Sequence, residues 1–271
     1  MLCAATLLDY VFFIPDRLAL DMAQALCVAL PGAGIPQFLT RLTGRGWALI
    51  APVSLVLTIA AIGVSTMSAD VLAWIALILV PLGCALALGW AIHGARPWLA
   101  LAVVPLLVAA VAVPDEPLGE LARLALIVGS CATAGRLLAA GTPLAYLKAG
   151  VVAMATIDAV FIFGHLVPEQ NAAFDAAVPH AGLPQLHVAD FGSISTDYGD
   201  FFVAGVVGAI FAVERRNQVA GAVATLIAAQ ALNQLLLVVS SIPETLSPAS
   251  VLVAVEAWRR RAALVPRREP A

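Results

Sequence analysis

Apolar runs with few or no charges recur along the chain, each bounded by short polar turns. From residue 46 onward they fall at Gly46–Ala69, Val71–Ile92, Pro97–Pro114, Leu118–Ala140, Pro143–Gly164, Gly199–Val213, Gln218–Ile242 and Leu246–Trp258. Most are long enough to cross a hydrocarbon layer of roughly 30 Å as a helix. None shows the alternating segments of about ten residues that build a membrane barrel. The eighth run is short unless the arginines after it extend to the interface. One further helix is predicted within residues 1–40, where Asp9, Asp16, Arg17 and Asp21 interrupt the apolar character and Pro31 and Pro36 break a second stretch. The pattern therefore predicts an all-α, polytopic transmembrane bundle of about nine helices. It forms a single domain, with N-terminal helices over 1–142, a second group over 143–262 and a tail from 263. One connection, 165–198, is long.

Composition agrees. The 271 residues are 62% hydrophobic and 11% charged, where a soluble domain carries about 25% charged residues. Too few charges remain to cover a water-exposed globule. The net charge of -3 points to no partner, and no basic stripe interleaved with aromatics suggests nucleic acid. Cys3, Cys27, Cys84 and Cys131 are scattered through apolar segments, without the spacing of a disulfide framework or a metal knuckle. They are expected to be buried small residues. The apolar stretch from Met1 to Ile14 lacks the basic start of a signal peptide.

Charge placement gives an orientation. Arg41, Arg45, Arg96, Arg136, Lys148, Arg215, Arg216, Arg259, Arg260, Arg261, Arg267 and Arg268 all fall on one side if the runs alternate across a bilayer; they are twelve of the fourteen Lys and Arg residues. The opposite turns carry Asp70, Asp115, Glu116, Glu120 and Glu244. Arg123 is the exception. Basic loops stay in the cytoplasm, so the expected location is the plasma (inner) membrane. The C-terminus is then cytoplasmic and the 165–198 connection extracytoplasmic.

Two carboxylates break the apolar pattern. Asp158 lies within Val151-Val152-Ala153-Met154-Ala155-Thr156-Ile157-Asp158-Ala159-Val160-Phe161-Ile162-Phe163. A carboxylate at such depth costs a few kcal/mol even on lenient scales, so it is paired, protonated or functional. The structural alternative is a neutral Asp158 hydrogen-bonded to Gln230, Asn233 or Gln234 of the seventh run. Asp200 opens the sixth run in Tyr198-Gly199-Asp200-Phe201-Phe202; alone it reads as a helix-start residue. The two runs are consecutive, so the end of one and the start of the next face the same side. If the sixth helix begins a turn or two before Gly199, both carboxyls reach one depth. Two carboxyls in one low-dielectric site share a proton. Such a pair holds a base for water and an acid for a carbonyl or leaving amide. Gly199 would let the backbone approach a substrate closely.

Over residues 143–262 the chain resembles the intramembrane aspartyl proteases, the presenilin and signal peptide peptidase family with its bacterial relatives. Members have nine transmembrane helices, an aspartate in the sixth, Gly-x-Gly-Asp in the seventh and Pro-Ala-Leu at the ninth. Ile157-Asp158, Asp197-Tyr198-Gly199-Asp200 and Pro248-Ala249-Ser250 fall on these motifs in order. Asp197 stands where the first glycine would be and Ser250 where the leucine would be. The Tyr that often precedes the first aspartate is missing. The resemblance implies a presenilin-like fold and a catalytic pair, Asp158 and Asp200. It implies substrate-positioning roles for Tyr198, Gly199, Pro248 and Ala249, and no cofactor. The partners implied are lipid and single-span substrates, among them signal-peptide remnants. The inferred orientation is that of signal peptide peptidase, which implies substrates with cytoplasmic N-termini.

Other readings stay open. Asp158 with Gln230, Asn233 and Gln234 also suits a proton or cation path in a transporter, and a non-catalytic scaffold for membrane helices would use neither aspartate. A proline in the first turn of a helix equally explains Pro248. The connection carries His165, His180, His187, Asp175 and Asp190 without a compact metal-ligand spacing, so it is expected to be a solvated acidic loop without metal.

Overall fold

Ten helices and one hairpin follow the apolar runs in order. A computed structural model describes residues 2–32, 44–166, 168–180, 182–237 and 241–264. Pro36, Arg41, Arg267 and Arg268 lie outside these described residues, as do the side chains of Cys3 and Asp9. The helices are α1 (Leu2–Ala29), α2 (Ile50–Val64), α3 (Met67–Leu86), α4 (Val103–Ala112), α5 (Pro117–Gly141), α6 (Leu144–Phe163), α7 (Pro168–Asp175), α8 (Tyr198–Val213), α9 (Gln218–Asn233) and α10 (Leu246–Leu264). Tight 3₁₀ turns lead into α2 and α4 and continue α9, and a π turn closes α3.

Among the described residues five segments are long and apolar enough to cross a membrane: Arg45–Val64, Met67–Ala91, Pro117–Gly141, Leu144–Phe163 and Gln218–Leu236. Pro97–Ala112 and Tyr198–Val213 are apolar but shorter. The outward faces of α2, α3, α4 and α9 expose Leu57, Ile78, Leu82, Val104, Val108 and Ile227. So continuous an apolar exterior suits hydrocarbon rather than water.

Four boundaries differ from the expectation. The turn between the first two runs falls at Ser65–Thr66 rather than at residue 70, so Met67 to Asp70 open α3. The sixth helix gains one residue, not one or two turns, because residues before Tyr198 form a strand. The seventh leaves α-geometry after Asn233. The last continues past Trp258 to Leu264, since arginines are good helix formers and two carboxylates anchor Arg259 at this end. The 165–198 connection is not a solvated loop. It holds α7 and an antiparallel hairpin of β1 (Val188–Phe191) and β2 (Ile194–Asp197), in register from Val188 opposite Asp197 to Phe191 opposite Ile194. The hairpin's two-residue turn begins with Gly192 at φ +60, the positive φ that its first position needs. Leu186, Val188 and Ala189 are buried, so this connection packs as a cap. At its tip Gly192 N–H donates to Glu120 (3.1 Å) and Ser193 N–H to Asp16 (3.2 Å).

The buried centre is α5 against α8. Every residue from Phe201 to Phe211 is buried, and α5 is buried along most of its length. Small residues bring the backbones together, as membrane helices require when apolar area alone gives little drive. A Cβ on Gly135 would collide with the backbone of Gly205, and one on Gly205 with the Cys131 carbonyl. Cys27, Cys84 and Cys131 are free and buried. Arg123, the exception to the charge pattern, is a buried structural cation: it donates to the Pro114 carbonyl (3.0 Å) and pairs with Asp190 of β1 (3.4 Å).

The end away from the hairpin is tied by ions. Lys148 of α6 contacts Glu214 (2.5 Å) and Glu256 (2.7 Å), and Arg216 contacts the same two carboxylates at 2.6 and 2.8 Å. These are mostly buried groups, and the alternating charges join α6, the α8–α9 turn and α10. Replacing Gly205 with Val is expected to destabilise the protein by about 1–3 kcal/mol through overpacking, read as an earlier thermal unfolding midpoint in detergent. Gly46→Ala, where nothing lies within 4 Å, should leave the midpoint unchanged.

Candidate active site

Asp158 lies a turn and a half before the end of α6, and Asp200 in the first turn of α8. Both line one cavity of about 700 Å³. One wall is apolar, from Ile50, Leu55, Ile59 and Ile62 of α2; the other carries Asp158, Asp197, Asp200, Glu244 and Thr245. Both aspartates are only half-buried, because their carboxyls face this space.

Each carboxyl-bearing helix is held by a different neighbour. Thr245 Oγ1, on the segment that leads into α10, donates to Asp158 Oδ2 at 2.6 Å. Arg17 of α1 pairs with Glu244 at 2.5 Å. The polar residues of α9 are not partners of Asp158: Gln230 and Asn233 donate to Asp21 of α1 at 2.5 and 2.8 Å, and Gln234 reaches only the Gln230 carbonyl at 3.5 Å. The expected neutral partner is thus a threonine from α10, and the α9 amides answer a different buried acid.

Tyr198 and Gly199 border the cavity. The Tyr198 hydroxyl is also within 2.9 Å of Ser130 Oγ on α5, and its N–H donates to the His187 carbonyl at 2.9 Å. The start of α8 is therefore fixed to both α5 and the hairpin. Pro248 and Ala249 do not border the cavity; both are buried in the first turn of α10. A proline there forfeits no helical hydrogen bond, since the first N–H groups have no partner inside the helix. The residues before α10 that reach the cavity are Ser241, Ile242, Glu244 and Thr245. Sequence reading passed over them: Glu244 resembled one more turn charge, and a threonine gives no signal of its own. Arg17 and Gln24 were missed too, because α1 carries no recognisable motif.

Outside the membrane-spanning helices burial raises the acids. Asp197 is pushed up to about 8 by burial first, then by the charges of Asp175, Glu244 and Asp158. Glu244 is pushed up to about 7 by burial, against the pull of Arg17. Burial also raises Asp175 and Asp190 and lowers His187. His187 packs edge-on to Phe174 with ring centroids 4.8 Å apart, and its Nε2 meets the Phe174 carbonyl at 2.9 Å. Among the described residues no group of three or more His, Cys, Asp or Glu is placed to hold a metal ion.

The chain matches no family model, no curated protein and no solved structure.

Raised carboxyls set a sign for stability. A group that keeps its proton in the fold up to pH 7–8, but releases it near pH 4 when unfolded, stabilises the fold fully below pH 4. That contribution is lost as pH rises through the folded values. The lowered His187 acts oppositely, alone against four carboxyls. The unfolding midpoint in detergent is therefore expected to fall between pH 5 and pH 8. Asp197→Asn should flatten that slope; a steeper or unchanged slope would contradict the assignment.

Proposed function

We propose that this protein is an intramembrane aspartyl protease in which Asp158 and Asp200 form the catalytic pair. The single observation that carries the reading is that these two acids, from the apolar helices α6 and α8, border one cavity. The cavity has room for an extended peptide segment together with water, and its α2 wall offers apolar contact to a substrate helix. In this reading α1 to α6 and α8 to α10 are nine spans. The C-terminus is cytoplasmic in the inner membrane, and the hairpin caps the outer end of the bundle. Substrates are single-span proteins or signal-peptide remnants with cytoplasmic N-termini, and no cofactor takes part.

The chemistry follows from one shared proton. The ionised aspartate removes a proton from water as the oxygen attacks the peptide carbonyl carbon. The protonated aspartate donates to the carbonyl oxygen, giving a tetrahedral diol. The first aspartate then passes its proton to the amide nitrogen as the C–N bond breaks, and the second recovers its own from the diol. Because the protons belong to the pair, the pH–rate profile is a bell whose limbs describe both groups together. Tyr198 and Gly199 position substrate beside Asp200. Pro248 and Ala249 act only indirectly, by seating the helix that carries Thr245.

The proton-path alternative loses its polar lining at Asp158, since Gln230 and Asn233 serve Asp21. The test is cleavage of a single-span reporter by purified protein in liposomes. Asp158→Asn and Asp200→Asn are each expected to lower the rate by about 10²–10⁴-fold or more. Thr156→Ala, on the exposed face of α6, should cut at the normal rate. Cleavage that survives removal of either carboxyl would falsify the pair.

A further inference from the structure

Two aspartates on separate helices need something that sets their spacing. Among the described residues neither carboxyl bonds to the other's helix; Asp158 and, through Gln24, the Asp200 main chain are instead tied to the short segment between α9 and α10. Thr245 Oγ1 donates to Asp158 Oδ2 at 2.6 Å. One residue before it, the Glu244 main-chain carbonyl accepts from Gln24 Nε2 at 3.1 Å. The same amide nitrogen lies 3.4 Å from the Asp200 main-chain carbonyl. An amide carries two N–H groups, so Gln24 can serve both carbonyls at once. Its own carbonyl accepts from Ser247 Oγ at 2.7 Å, which fixes which way the amide points. Gln24, Thr245 and Ser247 are all buried, at 3%, 2% and 1% exposure.

We propose that Gln24 and Thr245 form a brace, running from Asp200 through the Glu244–Thr245 segment to Asp158, that fixes the separation of the two carboxyl groups. The inference rests on the protease reading for its catalytic consequence but not for its geometry. Gln24 and Thr245 are positioning residues: each acts through an aspartate rather than on substrate. Thr245 also occupies Oδ2 of Asp158, which leaves Oδ1 to face water and the shared proton. The brace places α1 in the machinery, although no motif marks that helix.

Geometry of this kind matters because a misplacement of about 1 Å can cost about 100-fold in rate. A bulk packing defect would instead reduce the amount of folded protein without changing how the two acids talk to each other. The experiment therefore reads the conversation directly. Full-length protein carrying ¹³C-carboxyl aspartate is titrated in detergent, with Asp158→Asn and Asp200→Asn used to assign signals. The coupling is the change in the Asp200 midpoint when Asp158 is replaced by Asn. It is measured in the unmodified protein, in Thr245→Val, in Thr245→Ser and in Gln24→Met, and reporter cleavage is followed in the same four proteins.

Thr245→Val and Gln24→Met are expected to reduce the coupling by half or more. They should lower kcat by about 10–100-fold with KM within twofold. Thr245→Ser, which keeps the hydroxyl, should restore both. Coupling that stays at its original size in Thr245→Val overturns the brace, whatever happens to cleavage. So does a Thr245→Ser protein as impaired as Thr245→Val. If Gln24→Met fails to fold, the two Thr245 variants decide alone. If the unmodified protein does not cleave, the protease reading falls and the titration still decides the brace.

Discussion

Ionisable groups removed from water must find partners or give up their charge, and that requirement organises this protein. In a chain with so little charge, four acids among the described residues have an identifiable answer. Asp21 takes two amides from α9, Asp158 takes a hydroxyl from the start of α10, Glu244 takes Arg17, and Asp190 takes Arg123. These bonds run between helices far apart in sequence. They do work that apolar contact cannot, because lipid is as good a neighbour for leucine as another helix is. Small residues at the α5–α8 contact let backbones close up, and the polar pairs then choose the rotation and register of the helices around that centre.

The site inherits its character from the same constraint. Asp197 and Glu244 flank the candidate pair, and burial pushes them up to about 8 and about 7. Asp197 sits at the junction of β2 and α8 without a capping hydrogen bond from its side chain. The folded hairpin, not a longer helix, delivers Asp200 to the cavity, and Tyr198 anchors that junction to α5.

Helix order and most helix limits were legible from hydrophobicity alone, because apolar length is a strong one-dimensional signal. Asp158 and Asp200 stood out for the same reason: a carboxylate amid valine and phenylalanine is conspicuous. The partners were not legible. Gln230 and Asn233 have the chemistry to serve Asp158, yet helix rotation directs them to Asp21, and rotation is set by packing that a sequence does not display. The cap over 165–198 was misread because its composition is polar; four-residue strands and an eight-residue helix give little periodicity to detect. Thr245 and Gln24 are ordinary residues whose significance comes only from where the chain returns.

The ionic cluster of Lys148, Glu214, Arg216 and Glu256 fastens α6, α8 and α10 at the end remote from the cavity. Those are the helices that bear Asp158 and Asp200 and the one that follows Thr245. Fastened there, they behave like the arms of tweezers, with the carboxyls out along the arms. Asp158 stands ten residues from Lys148 on the same helix, a lever of about 15 Å. A tilt of only about 4° at the fulcrum then shifts its carboxyl by about 1 Å. The remote cluster thus helps set where the Asp158 carboxyl stands.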